Sequence, residues 1–173
     1  MSPTRPFAGP RGRLILKCTI LVVTVLVAVG LDLLTKRIVE HHLVLGETHK
    51  ILPFLYLQRV ANNGVAFGLL GGHIATILVA NFIAVAVVLT YVVLERRPLV
   101  AGFGGGLIVG GSVGNMVQRL GFHEVTDYLR FPHWPNFNLA DVFIVLGIVV
   151  IFLAVLIEGV RMVRAGRKSA AHP

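Results

Sequence analysis

Residues 142–160 read VFIVLGIVVIFLAVLIEGV, an apolar run whose single charge, Glu158, stands near its end. A helix needs about 20 predominantly apolar residues to cross the hydrocarbon of a bilayer, so this stretch predicts a membrane span. Working back toward the N-terminus, the same criterion picks out residues 14–34, interrupted early by Lys17, then residues 73–94 and 99–117. The whole chain agrees with that reading: 55% of its residues are hydrophobic, 14% are charged, and the mean hydropathy is +0.82. Four spans occupy most of the 173 residues, which predicts an all-α membrane protein built as one integral membrane domain, residues 1–173. The first span follows Arg11, Arg13 and Lys17 as a signal peptide would, but no small-x-small cleavage site follows and the run ends in Asp32 and Lys36, so it reads as a retained span. Cys18, the lone cysteine, has no partner for a disulfide or a CxxC site and reads as an apolar residue inside that span.

The formal charge of +8 does not point to nucleic acid, because the basic residues lie in short clusters beside the apolar runs. Arg5, Arg11, Arg13 and Lys17, then Arg96 and Arg97, then Arg161, Arg164, Arg167 and Lys168 all fall on one side of a four-span chain, which the positive-inside rule makes cytoplasmic. The other side carries residues 32–72 and 118–141, where six Lys and Arg balance six Asp and Glu. Within the first of these segments, residues 51–70 read ILPFLYLQRVANNGVAFGLL, with aromatic and β-branched residues around Pro53 and an Asn-Asn-Gly turn signal. Short strands are expected there, forming a small extracytoplasmic β-sheet at the membrane surface; a simple hydrophobic hairpin fits the pattern about as well. The second segment is expected to be a surface loop or short helix, with Phe131 and Trp134 at headgroup level.

Two features concentrate chemistry near the outer edge. Gly102, Gly106, Gly110 and Gly114 share one face of the third span, where another helix can approach closely, and a neighbouring stripe runs through Gly111, Asn115 and Arg119. Asp127 and Asp141 flank the Trp134-Pro135 turn where the third and fourth spans emerge, and carboxylates at a membrane edge are expensive enough to need a reason. The bland reading is that Asp127 is a solvated loop acid and that Asp141 completes an N-terminal capping box with Asn138. Asn138 can also cap the helix and aim Asp141.

Four blocks in order carry a family resemblance. Asp32-Leu33-Leu34-Thr35-Lys36, Asn62-Asn63-Gly64-Val65-Ala66-Phe67, Gly114-Asn115-Met116-Val117-Gln118-Arg119-Leu120 with Val125-Thr126-Asp127-Tyr128, and Phe137-Asn138-Leu139-Ala140-Asp141 resemble the signature blocks of bacterial lipoprotein signal peptidases, also called signal peptidase II. Two positions depart from the pattern: Gln118 stands where many members have an acid, and His123 where glycine is common. They bear on the loop shape and on any pairing of Arg119 with an acid. The resemblance implies an intramembrane aspartic endopeptidase of the bacterial cytoplasmic membrane, the target of globomycin in that family. It would cut prolipoproteins just before a cysteine carrying diacylglycerol.

Asp127 and Asp141 would be the catalytic pair, since two close carboxylates share a proton and can activate water between them. Asn62, Gly64, Asn115, Arg119 and Asn138 would bind substrate or support the pair, although a plain turn at Asn62-Gly64 and simple satisfaction of helix ends by Asn115 and Arg119 remain open readings. Asp32 and Lys36 read as a structural ion pair fixing the end of the first span. No cofactor and no metal are expected, because His41, His42 and His133 lack ligand spacing. The expected partners are lipidated prolipoproteins and membrane lipids, with no nucleic acid and the protein a monomer. A small transporter would need charges at the centres of its spans, and spans two and four offer only Asn81 there; a structural adaptor explains the glycine ladder and leaves the outer polar blocks without purpose.

Overall fold

The computed structural model describes residues 9–64 and 73–170, with side chains as far as residue 164. Arg5, the Val65-Ala66-Phe67 end of the second block, and the side chains of Arg167 and Lys168 lie outside the described residues. Among the described residues four helical segments are long and apolar enough to cross a membrane. These are α1 (Pro10–His42), α2 (Ile74–Leu94), α3 (Gly105–Phe122, continuing a π-helical stretch at Val100–Gly104) and α4 (Leu139–Ala170). Strands β1 (Thr48–Leu52) and β2 (Leu55–Asn62) follow α1, and β3 (Val125–Arg130) lies between α3 and α4.

Helices α1, α3 and α4 overrun the expected spans, while α2 keeps within its own. At about 1.5 Å per residue, the 33 residues of α1 exceed the hydrocarbon thickness by several turns. Its outer part, from Thr35 to His42, contains no breaker and continues the helix beyond the apolar run. Asp32 and Lys36 therefore sit within α1 rather than at its end.

Helix α3 is the hub. In its most apolar window 78% of residues are buried, against 11% for α1 and α2 and 17% for α4. The glycine ladder explains how the neighbours come so close. A Cβ on Gly102 would lie 2.8 Å from Cβ of Ile20, one on Gly106 2.7 Å from Cβ of Thr24, and one on Gly110 2.7 Å from Cβ of Ala28. A Cβ on Gly114 would collide with the Asp32 carboxylate. Positions 20, 24, 28 and 32 repeat every four residues as the glycines do, so the two helices meet ridge to ridge along one stripe each. The neighbouring stripe meets α4: a Cβ on Gly111 would run into the Ala140 carbonyl, and one on Gly147 of α4 would lie 2.6 Å from the Gly104 carbonyl. Large apolar side chains elsewhere on α1, α2 and α4, such as Leu26, Val93 and Phe152, point outward as a lipid-facing surface requires.

At the basic end, Lys17 donates to the carbonyls of Val92, Val93 and Glu95, closing the C-terminus of α2. Arg97 grips both oxygens of Glu95 and donates to the Ala154 carbonyl of α4. These hydrogen bonds from Arg97 hold the Glu95 carboxyl at about 2. The early charge that interrupts the first span is thus a helix cap.

The three strands form an antiparallel sheet in the order β1-β2-β3. Pro53 and Phe54 make the turn between β1 and β2, while Asn62-Asn63-Gly64 ends β2. Residues 125–130 pair in the sheet as a third strand opposite β2. A small cluster of Val39, Leu43 and Tyr128, with Leu57, Leu129 and Leu139 packed around it, seats this sheet on the outer part of α1 and the start of α4. Gly110→Ala is expected to lower the apparent melting temperature in detergent through overpacking worth about 1–3 kcal/mol. Gly121→Ala, whose new Cβ would meet nothing within 4 Å, is expected to leave it unchanged or raise it.

Candidate functional site

Asp127 is delivered by β3. Asn62 pairs with Val125 across the ladder, so Asp127, two residues on, shares its face, and the Asn62 amide donates to Asp127 Oδ2 at 2.8 Å. The other carboxylate oxygen accepts from Asn138 Nδ2 at 2.7 Å. With 2% of its surface exposed, the carboxyl is pushed up to about 6 by burial and by the neighbouring Asp141, against the two amides that favour the ion.

Asp141 is delivered by the start of α4. Asn138 Oδ1 accepts from the Asp141 backbone N–H at 3.2 Å, and Asp141 Oδ2 accepts from the Asn138 backbone N–H at 3.0 Å. This reciprocal box satisfies two donors of the helix start and fixes the carboxylate in the first turn, where it faces the positive end of the helix dipole. Asn138 therefore does both things its position allowed: it caps α4, and it touches each aspartate.

The next residues out are fixed by a buried ion pair. Lys36 Nζ lies 2.7 Å from Asp32 Oδ2, with side chains 1% and 0% exposed. Asp32 uses its second oxygen to accept from the Ala140 backbone N–H at 3.0 Å, a further donor of the α4 start. Lys36 also donates to Asn115 Oδ1 at 2.8 Å, and Asn115 Nδ2 donates to Asp141 Oδ1 at 2.9 Å. The amide orientations follow from chemistry. An ammonium only donates, so the oxygen of Asn115 must face Lys36 and its nitrogen Asp141; a backbone N–H only donates, so the oxygen of Asn138 faces it and its nitrogen faces Asp127 and Asn115 Oδ1. One connected network thus runs from α1 through α3 and α4 to both aspartates.

The remaining residues define the surroundings. Arg119 Nη2 donates to the Gly64 carbonyl at 3.0 Å, and the Gly64 N–H donates to Asn62 Oδ1 at 2.9 Å, so Arg119 braces the turn that holds Asn62. Among the described residues Arg119 is paired with no acid. Gln118 instead donates to Glu40 Oε1 at 2.7 Å and accepts from the Thr126 backbone N–H at 2.9 Å, while Thr126 Oγ1 donates to the same Glu40 oxygen. The acid missing at 118 is supplied by α1, and the clamp holds β3 one residue before Asp127. Sequence reading passed over Glu40, although 32, 36 and 40 share one face of α1. His123 takes the left-handed cap of α3 at φ 62°, a conformation a glycine adopts without strain, so the loop keeps its path despite the substitution.

Both aspartates open into a groove of about 810 Å³ between α2, α3 and α4. Its mouth is lined by Asn62, Asn115, Arg119, Trp134 and Asn138, and its length by apolar side chains such as Ile77, Ile108 and Ile144. Trp134 is 62% exposed at that mouth, and Phe131 stacks on Phe54 and meets Phe137 at a tilt. An apolar groove with a few convergent polar groups at one end suits an extended, largely hydrophobic ligand whose reacting bond lies at the polar end.

Comparison with known proteins adds to this geometry. The family described as Signal peptidase (SPase) II matches residues 24–157. The lipoprotein signal peptidase of Pelotomaculum thermopropionicum is 35% identical over 86% of this chain and 99% of its own length. That of Symbiobacterium thermophilum is 38% identical over 79% and 95%, and that of Bartonella tribocorum 33% identical over 83% and 90%. A bacterial membrane enzyme solved by the in meso method at 1.9 Å resolution superposes with a TM-score of 0.71 at 25% identity, covering 79% of this chain and 92% of that one. A second, solved at 2.3 Å, gives 0.74 at 24% identity, covering 80% and 88%, a likeness of fold.

The network makes a prediction about stability. Lys36→Met leaves the Asp32 carboxylate buried without its cation and is expected to destabilise the protein by about 3–5 kcal/mol. Adding Asp32→Asn to it is expected to recover part of that loss. Thermal unfolding of both variants in one detergent checks the order.

Proposed function

The chain belongs to the signal peptidase II family, and from that premise we propose that it removes signal peptides from prolipoproteins as an aspartic endopeptidase whose working groups are Asp127 and Asp141. It is a multi-pass membrane peptidase. The observation that carries the aspartic assignment is Asn138, which donates to Asp127 through its side chain and to Asp141 through its backbone at the mouth of one groove. The substrate in this reading is a prolipoprotein whose cysteine already carries diacylglycerol, cut on the N-terminal side of that cysteine. The apolar groove suits its signal peptide. The basic ends of α1 and α4 and the Arg96-Arg97 link support a cytoplasmic location for both termini, with the site near the outer face of the cytoplasmic membrane.

The chemistry divides between the two carboxyls by environment. Asp127 is the more buried and keeps the proton; Asp141, facing the start of α4 and accepting from Asn115 and Asn138, carries the charge. Asp141 takes a proton from water as the water oxygen bonds to the scissile carbonyl carbon, and Asp127 gives its proton to the carbonyl oxygen. Collapse of the tetrahedral intermediate breaks the C–N bond. The proton held by Asp141 goes to the leaving nitrogen and Asp127 recovers one from the intermediate's hydroxyl, so the starting state is restored. Asn62, Asn115 and Asn138 hold the two carboxyls while this happens, and Arg119 braces the Asn62 turn.

Asp127→Asn and Asp141→Asn are each expected to reduce cleavage of a lipidated precursor by about a thousandfold or more. Relative to the parent, Asp127→Asn should gain stability as pH rises from about 4 to about 7. The folded-state value of about 6 lies above the ordinary 3.8, so the buried carboxylate costs stability as pH rises through that window, and a neutral amide removes the cost. Full cleavage activity in either variant would exclude the pair.

The same raised value predicts a pH profile. Rising pH strips the proton from Asp127 in the empty enzyme, so kcat/KM should fall on passing about pH 6. Substrate in the groove excludes water and strengthens proton retention, so kcat should fall at higher pH than kcat/KM. A profile rising through that range would contradict the protonated role of Asp127.

A further inference from the structure

A second cavity, of about 400 Å³, lies at the basic end of the bundle, between the start of α1 and the end of α2. Among the described residues three cations line it: Arg13 and Lys17 from α1, and Arg96 from the link that follows α2. The proposed reaction makes no use of it, because both aspartates open into the groove near the opposite end of the helices. Its charge balance says what it would take. Glu95, the acid in its lining, is already matched, since Arg97 donates to both its oxygens and the Tyr91 hydroxyl to one of them. Lys17 spends its three N–H donors on the carbonyls of Val92, Val93 and Glu95. It therefore brings charge without a further donor, and it covers the negative end of the α2 dipole, which would otherwise repel an anion.

The donors come from the two arginines. Arg13 lies one turn before Lys17 on the same face of α1, about 6 Å nearer the helix start, and Arg96 stands beyond the last turn of α2. Both are exposed, so a ligand can reach their N–H forks, which fit phosphate oxygens in pairs. The rest of the lining says which phosphate this is. Leu14, Val93 and Leu94 border the same cavity, each more than half exposed on a helix apolar enough to cross a membrane. Free phosphate has no use for such a wall. A phospholipid uses both parts, with its phosphate among the cations and its acyl chains along the apolar side chains. The cavity also lies at the end whose basic clusters support a cytoplasmic location, the side on which anionic lipids give the leaflet its negative surface.

We infer that the cavity between the start of α1 and the end of α2 is a binding site for the phosphate of an anionic phospholipid in the inner leaflet. Arg13 and Arg96 donate to the phosphate oxygens, Lys17 adds its charge from one turn deeper, and the acyl chains run over Leu14, Val93 and Leu94. A lipid held in this way ties the start of α1 to the link between α2 and α3, alongside the cap that Lys17 already makes. The site is separate from the peptidase reaction and does not depend on it.

The test is a lipid titration of the full protein in an uncharged detergent, read by native mass spectrometry. Phosphatidylglycerol should bind about tenfold more tightly than phosphatidylcholine, whose choline cancels the phosphate charge. Arg13→Gln and Arg96→Gln should each weaken phosphatidylglycerol binding about fivefold. A double variant, Arg161→Gln with Arg164→Gln, removes two charges on α4 outside the cavity and should bind as the parent does. Phosphatidylglycerol carrying a photoreactive group beside its phosphate should label residues 10–17 and 93–96 of the unaltered protein, which reads the site even if a variant fails to fold. Equal affinity for the two lipids would overturn the assignment, as would labelling confined to other segments. An equal loss in the Arg161 and Arg164 variant would reduce the effect to general surface charge and overturn it too. Inorganic phosphate at the same concentration should leave the lipid bound; displacement would give the cavity to a free anion instead.

Discussion

The site depends on an ion pair placed where charges are least welcome. Asp32 and Lys36 lie 2.7 Å apart inside the helix bundle with almost no exposure, and Coulomb attraction alone seldom compensates such burial. What helps the balance is that each ion makes a second hydrogen bond. The second oxygen of Asp32 takes the Ala140 N–H and so anchors the start of α4; a second proton of Lys36 takes Asn115 Oδ1 and so turns the Asn115 amide toward Asp141. The absence of a side chain at Gly114 is what lets Asp32 reach this position against α3. Removing the pair takes one anchor from the start of α4 and one from the Asn115 amide.

From that anchor the two aspartates acquire different environments although they share Asn138. Asp127 comes from a strand, is almost fully buried, and is raised to about 6. Asp141 comes from the first turn of a helix and accepts from the Asn138 backbone N–H and the Asn115 amide. A strand and a helix start thus supply two unlike settings for one residue type, which is how a pair of identical side chains can divide acid and base work.

Much of this was legible in the sequence, for reasons that can be named. Apolar run lengths gave the four helices, and spacing of four gave the glycine ladder, whose partners on α1 turn out to share its period. The Asn138-Asp141 capping box was readable because it is local. The second reach of Asp32, to Ala140 across 108 residues, was not, since no local pattern specifies a contact between distant helices. That α1 runs on past its apolar stretch was not legible, because hydropathy marks the membrane and not the helix, and Lys36, Arg37 and Glu40 extend a helix well in water. Strand β3 escaped because it is six residues long and adjacent buried Asp127 and Tyr128 break the alternation, which leaves a faint signal until a neighbouring strand provides the pairing. Glu40 escaped for a different reason: its purpose lies in Gln118, a departure that carries meaning only once both side chains are seen on Thr126.

The central claim is that one proton resides on Asp127 beside an ionised Asp141. Infrared difference spectroscopy of the detergent-solubilised protein, titrated from acid to neutral pH, reads that proton through the carbonyl stretch of the protonated carboxyl. The expected result is a carboxylic acid band lost at about pH 6, absent in Asp127→Asn, and in Asp141→Asn retained but lost at lower pH because the neighbouring charge is gone. A band that survives Asp127→Asn and disappears in Asp141→Asn would contradict the assignment.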